Sequence, residues 1–517
     1  MVERPDAAAW RLCDPRMIMA GLLALGLVPL LATPVLPLID FYNHLARFFV
    51  LAHIGSSSLL QDYYQARWSL LPDIGVDVLA TPLLRFIPPL IAGKIIVGGI
   101  LALLYGGVLY FHRALTGQRS ILVAVLLLPL LYSYILNWGF ANFLLGLGLA
   151  FWAAGWWLDH RARPFLAVPV SCGWALLVFF SHGIAFAMYG ILVACLEIGL
   201  FLDMSGRKPY DLFRALSLVA IQVFIPAAFF LSWTMGYADG KAVAALGNIP
   251  LPPFSICFAD AIVYHLESIL RVEESPFLWL DAATFAIQLG AVSFLIWRGR
   301  MIVARPARFL VAVVMLLAAI PLPALFGVGY IAERMPLFAA LCLLGSLCVS
   351  PVAWTRESRA VCALLIAAVF VRLIAIAASW HGYNQGYREF GAIAARIPPG
   401  SLTMPVMVGS GHHETKVPRC EMYGPLLIAQ FGQIGPLFSD EKQQPLRLIG
   451  PLKRADDALQ KGAAIPRDDY NRQMTAAASA GFDYLLVCNT QLLKQPFPPG
   501  LEKIAATPRF ALLRAVR

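Results

Sequence analysis

Long apolar runs, each closed by charge or by Pro, Gly, Ser or Asn, dominate the first three quarters of the chain. Eleven of them are close to the length that carries a helix across a bilayer: 17–38, 89–111, 120–136, 139–158, 164–180, 184–202, 212–234, 277–297, 309–328, 335–353 and 359–379. About 20 apolar residues at 1.5 Å per residue match a hydrocarbon core of about 30 Å. The pattern therefore predicts an all-α polytopic membrane protein with about eleven transmembrane helices. Pro164 to Leu202 is too long for one span, and Ser181-His182-Gly183 divides it as a tight hairpin. The first run follows Arg4, Arg11 and Arg16 as a signal peptide would, but its length argues for an uncleaved first span.

From about residue 380 the pattern changes. Short β-like runs at Leu402–Val408, Asp483–Val487 and Phe510–Ala515 alternate with helical patterns at 385–396 and 469–480, separated by turns such as Pro398-Pro399-Gly400. This predicts a small α/β domain. Cys420 and Cys488 both fall in it, and an oxidising compartment would permit their pairing. The other apolar-run cysteines, Cys172, Cys195, Cys342, Cys348 and Cys362, read as small core residues.

Composition narrows the class. Hydrophobic residues make up 59% of the 517 and charged residues 14%, against about 25% charged in soluble domains. An ordinary soluble enzyme, a disordered chain and a fibrous repeat are excluded. The formal charge of +10 is first a statement about topology. With the N-terminus inside, Lys and Arg gather in the even connections, as at Arg161 and Arg163 or Arg298, Arg300, Arg305 and Arg308. Sixteen basic residues then lie on the inner side and six on the outer side before residue 380. An odd number of spans places the tail outside. The expected organisation is a cytoplasmic N-terminus (1–16), a transmembrane domain (17–379) with outer loops 39–88 and 235–276, and an extracytoplasmic C-terminal domain (380–517). No nucleic-acid-binding signature accompanies the positive charge. No Asn-x-Ser/Thr sequon occurs, which fits a bacterial inner membrane, with the C-terminal domain in the periplasm.

The segment richest in chemistry is Asp40-Phe41-Tyr42-Asn43-His44-Leu45-Ala46-Arg47, where the first span ends. If 41–54 is helical, Asp40 is its N-cap and His44 and Arg47 follow at i+4 and i+7 on one face. Phe41, Leu45, Phe48, Phe49 and Ala52 would then form an apolar stripe laid along the membrane surface. Further candidates on the outer side are Arg67 in the same loop, Asn142 among the aromatics of 137–143, His182 in its hairpin, and Glu333-Arg334 in a short turn. Hydrogen-bonded turn, anchor and belt roles are the competing readings for these. Asp260, His265 and Glu267 read first as a solvated face, and His412-His413-Glu414 resembles a metal tract only weakly, since adjacent strand residues point apart.

An outer loop that opens with Asp-x-x-x-His-x-x-Arg, ahead of many spans and an outer C-terminal domain, resembles the GT-C membrane glycosyltransferases. The resemblance implies a donor sugar on a polyprenyl phosphate, an acceptor on the outer face, and Asp40 as catalytic base or metal-associated carboxylate. His44, Arg47, Arg67, Asn142, His182, Glu333 and Arg334 become substrate-binding candidates. A divalent cation is the cofactor such a site allows, with no ligand set defined. The physics agrees: a carboxylate takes the acceptor hydroxyl's proton while cations hold the departing phosphate. The alternative class is a non-enzymatic membrane protein, either a lipid-linked glycan transporter or an accessory subunit of envelope polysaccharide assembly. Few ionisable residues lie within the spans (Lys94, Glu197, Asp281 and Arg372), which argues against an ion path.

Overall fold

A computed structural model describes residues 14–206, 208–237, 254–320, 324–325, 328–350, 355–408, 420–437, 444–461, 469–493 and 495–516, with side chains at 230–237, 254–261, 324–325, 328 and 460–461 outside that description. Eight described helices are long and apolar enough to cross a membrane: Pro89–Thr116, Ile121–Trp138, Ala141–His160, Pro164–Ser181, Gly183–Asp203, Pro209–Phe229, Leu278–Trp297 and Arg356–Ala394. The chain is a polytopic α-helical membrane protein with a small sheet in its C-terminal part. Three of the eleven expected runs form shorter helices: Pro15–Gly26, Arg308–Ala318 and Ile331–Gly345. Pro29, Pro34 and Pro37 remove backbone donors from the first run and stop its helix early. The run at 335–353 ends its helix at Gly345 and continues as a strand, Leu347–Val349, paired with Met301–Val303.

The described chain falls into two compact units. The first holds Met1–Pro29, Gly98–Leu136 and Asn142–Ala377. Within it, small residues let helices approach closely. Gly148 is one: a Cβ there would lie 3.0 Å from the Leu104 backbone. Two of the carboxylates inside are paired with arginines. Glu197 accepts from Trp157 Nε1 at 2.8 Å and from Arg161 at 2.6 Å. Arg372, fully buried, is held by Asp281 of a neighbouring span. The expected hairpin is present, with His182 alone between the Pro164–Ser181 and Gly183–Asp203 helices.

The second unit holds Leu30–Val97, Asn137–Ala141 and Ala378–Arg517, so the first loop folds together with the tail. Its sheet orders the strands Thr403–Met407, Tyr484–Cys488, Phe510–Ala515 and Leu501–Ala506 in space, with the first pair parallel and the rest antiparallel. Three of these strands match the expected runs. The fourth, Leu501–Ala506, is an edge strand whose sequence lacks clean alternation. Tyr64–Ala66 of the first loop pairs antiparallel with Leu446–Leu448, and the Arg67 backbone N–H donates to Pro445 at 2.7 Å. Cys420 and Cys488 form a disulfide.

The expected helix is Phe41–His53, and none of its residues is exposed. Phe41, Leu45, Phe48 and Val50 are buried, and the helix packs against Gly75–Leu83 and Tyr423–Phe431. Ala46, Val50 and Leu51 join the core built on Val406, Leu485, Val487 and Leu513 of the sheet. The physical reason is area. The helix is apolar on more than one face, and a sheet with partner helices covers it on more sides than a flat interface would.

Candidate active site

Two polar groups hold the candidate residues, one in each unit. In the second unit the anchor is the turn that delivers Asp40. Ile39 and Asp40 donate their backbone N–H groups to Asn137 and Trp138 carbonyls at 3.0 and 2.8 Å. Gly139, next in that segment, has φ +88°, and a Cβ on it would lie 3.0 Å from the Phe41 Cα. Only glycine meets both conditions, so this backbone contact fixes where the helix begins.

Asp40 occupies the N-cap position, yet its carboxylate makes no capping hydrogen bond. It faces one turn along the helix, where His44 Nε2 donates to Oδ2 at 3.2 Å. Asp40 keeps 35% of its side-chain exposure and His44 keeps 17%. His44 Nδ1 is buried with no protein partner among the described residues. Burial by itself raises the Asp40 carboxyl. The positive side of His44, the Arg47 charge and a hydrogen bond from Asn43 outweigh it, and the net position is below the ordinary aspartate value. Asp40 is therefore an ionised, accessible carboxylate at neutral pH.

Arg47 sits where i+7 spacing places it, but its guanidinium turns inward. Nε and Nη2 donate to the two oxygens of Asp77 at 2.7 and 3.0 Å, a bidentate pair with side-chain exposures of 2% and 0%. The geometry assigns this guanidinium to a carboxylate of the fold and not to a ligand. Asp77 escaped sequence reasoning because a single acid between Val76 and Val78 carries no motif. Arg67 is exposed, with no ion-pair partner among the described residues.

In the membrane unit, Glu333, Arg334, His182 and Asn142 are all buried. Tyr330 precedes the Ile331–Gly345 helix of Glu333 and Arg334 in the left-handed region at φ 60°. Glu333 accepts a hydrogen bond from the Tyr264 hydroxyl, a residue that no sequence signal singled out. Burial and the Glu333 charge push that phenol well above its usual value. The Arg334 guanidinium lies over the Phe143 ring at 5.0 Å, and the His182 ring meets the same phenylalanine edge-on at 5.3 Å. His182 Nδ1 accepts from the Ile184 N–H at 3.0 Å, capping the next helix. Burial, then the Arg334 charge, hold its imidazole well below the usual histidine value, so it is neutral.

Of the weaker candidates, His265 is buried, while Glu267 is exposed and pairs with Arg271 at 3.3 Å. The Asp260 side chain and the 412–414 tract lie outside the described residues. Among the described residues no three His, Cys, Asp or Glu side chains converge as a metal set. Asp40 and His44 supply two donors, short of the three or four protein ligands of a zinc site.

Comparison with family models gives no match, and neither does comparison with curated proteins. Solved structures do match. The crystal structure of ArnT from Cupriavidus metallidurans in the apo state superimposes over 96% of this chain and 97% of its own, at 12% identity and a TM-score of 0.50. The fold is ArnT-like. The structure of the same protein bound to undecaprenyl phosphate aligns over equal shares at 13% identity and a TM-score of 0.46. At this identity the likeness speaks for the path of the chain. The shared fold runs over nearly the full length of both chains.

Proposed function

We propose that the protein is a glycosyltransferase that moves a sugar from a polyprenyl-phosphate carrier to an acceptor hydroxyl on the outer face of a bacterial inner membrane. The observation that carries this reading is Asp40: an accessible carboxylate, kept ionised by His44, at the first turn of an otherwise buried helix. Asp40 takes the proton of the acceptor hydroxyl as that oxygen attacks the anomeric carbon. The bond from that carbon to the phosphate oxygen breaks, and polyprenyl phosphate departs with the electron pair. His44 orients Asp40 through its Nε2–H. Arg67, an exposed cation of the same loop, is the candidate for the departing phosphate, since Arg47 is paired with Asp77. Glu333, Arg334, Asn142 and His182 are proposed as further donor-binding residues, in the membrane unit. The polyprenyl donor is supported by the ArnT-like fold, ArnT itself having been crystallised with undecaprenyl phosphate. The Cys420–Cys488 disulfide supports an oxidising, outer location for the tail.

The test is transfer by purified protein in lipid nanodiscs supplied with polyprenyl-phosphate sugars. Asp40→Asn keeps size and removes the base, so transfer should fall by about 10²–10⁴-fold with the protein still folded. Equal turnover in wild type and Asp40→Asn would overturn the assignment. Wild type that never turns over, yet moves lipid-linked glycan across a vesicle membrane, would replace it with the transporter reading.

A further inference from the structure

The membrane unit contains an apolar cavity of about 280 Å³ that takes no part in the chemistry above. Leu126, Phe285, Leu289, Met315, Ala340 and Leu343, from four helices, are among its walls. Two of these residues open it sideways. Leu289, on the Leu278–Trp297 span, is 59% exposed, and Met315 is 49% exposed. On apolar membrane helices such exposure is toward hydrocarbon, so the cavity's mouth is a gap in the lipid-facing wall.

Its polar groups are confined to Glu273 and Gln288, and the Gln288 amide donates to the Glu273 carboxyl. Thr284 reaches the second Glu273 oxygen at 3.2 Å. The walls hold no Lys, Arg or His, so nothing in them binds a phosphate. We propose that this cavity is a binding site for one acyl chain of a bilayer glycerophospholipid, held as a resident lipid and not as substrate. The chain matches the lining, its head group remains at the surface, and the bilayer supplies it in large excess.

The experiment uses full-length protein in nanodiscs of phosphatidylethanolamine and phosphatidylglycerol, a trace of the phosphatidylethanolamine carrying a photoreactive diazirine in one acyl chain. After irradiation, the expected cross-links map to peptides around Leu289, Met315 and Leu343. Ala319, also in the lining, is exposed, so Ala319→Phe narrows the mouth without disturbing packing. It should cut the yield there about tenfold while leaving labelling on other spans unchanged. Adding Ala340→Phe, with monodisperse protein as the folding check, should abolish it. Added undecaprenyl phosphate should leave the yield unchanged. Cross-links indifferent to both substitutions, absent from these peptides, or displaced by undecaprenyl phosphate at equal concentration would each overturn the proposal.

Discussion

Replacing Asp77 by Asn should cost far more than its distance from any surface charge suggests. The variant removes one half of a bidentate pair whose members are 0% and 2% exposed, and it leaves the Arg47 guanidinium buried without a counter-charge. Breaking a buried pair from one side costs about 3–5 kcal/mol, because the remaining charge keeps its desolvation penalty and loses its partner. The unit that holds the pair has roughly 210 residues, and in domains of that size 1 kcal/mol moves the unfolding midpoint by about 2–4 °C. A drop of roughly 6–20 °C follows, measurable by thermal unfolding in detergent with tryptophan fluorescence. The decisive comparison is the double variant Arg47→Met with Asp77→Leu. It removes both charges, fills similar volume and avoids the buried orphan, so its midpoint should lie near or above wild type. Asp77→Asn within 2 °C of wild type would refute the account, as would a double variant no more stable than the single.

His44→Ala removes the largest influence that lowers the Asp40 carboxyl, so burial prevails and the carboxyl rises. The acid limb of the pH–rate profile should move to higher pH, with little loss of rate at pH 8, and an unmoved limb would separate His44 from Asp40. The same shift works on stability. A carboxyl lower in the folded state stabilises the wild type above the ordinary aspartate range, and that contribution disappears as pH falls through the lowered value. Cys420→Ser should destabilise the α/β unit by about 4 kcal/mol, since the disulfide closes a loop with a sequence separation of 68. Equal unfolding midpoints with and without a strong reductant would argue that this bridge does not constrain the unfolded chain.

Several features were legible in the sequence because their physics is local. Many apolar runs of about 20 residues exceed what a soluble core can cover, so the membrane class followed from hydropathy. Helical periodicity placed Asp40 and His44 one turn apart, and they meet at 3.2 Å. The breaker Ser181-His182-Gly183 marked a hairpin that is present, because a chain interruption acts on its own neighbours. Tertiary structure decided what depends on remote partners. Periodicity put Arg47 on the Asp40 face, but the carboxylate that captured it stands 30 residues away. The apolar residues of Phe41–His53 suited lipid or a protein core equally well, and one helix that packs on them, Tyr423–Phe431, lies about 370 residues downstream. Tyr264 reaches Glu333 across 69 residues. An apolar face or a charge declares in sequence that it needs a partner; which partner satisfies it is chosen by the packing that excludes water around both.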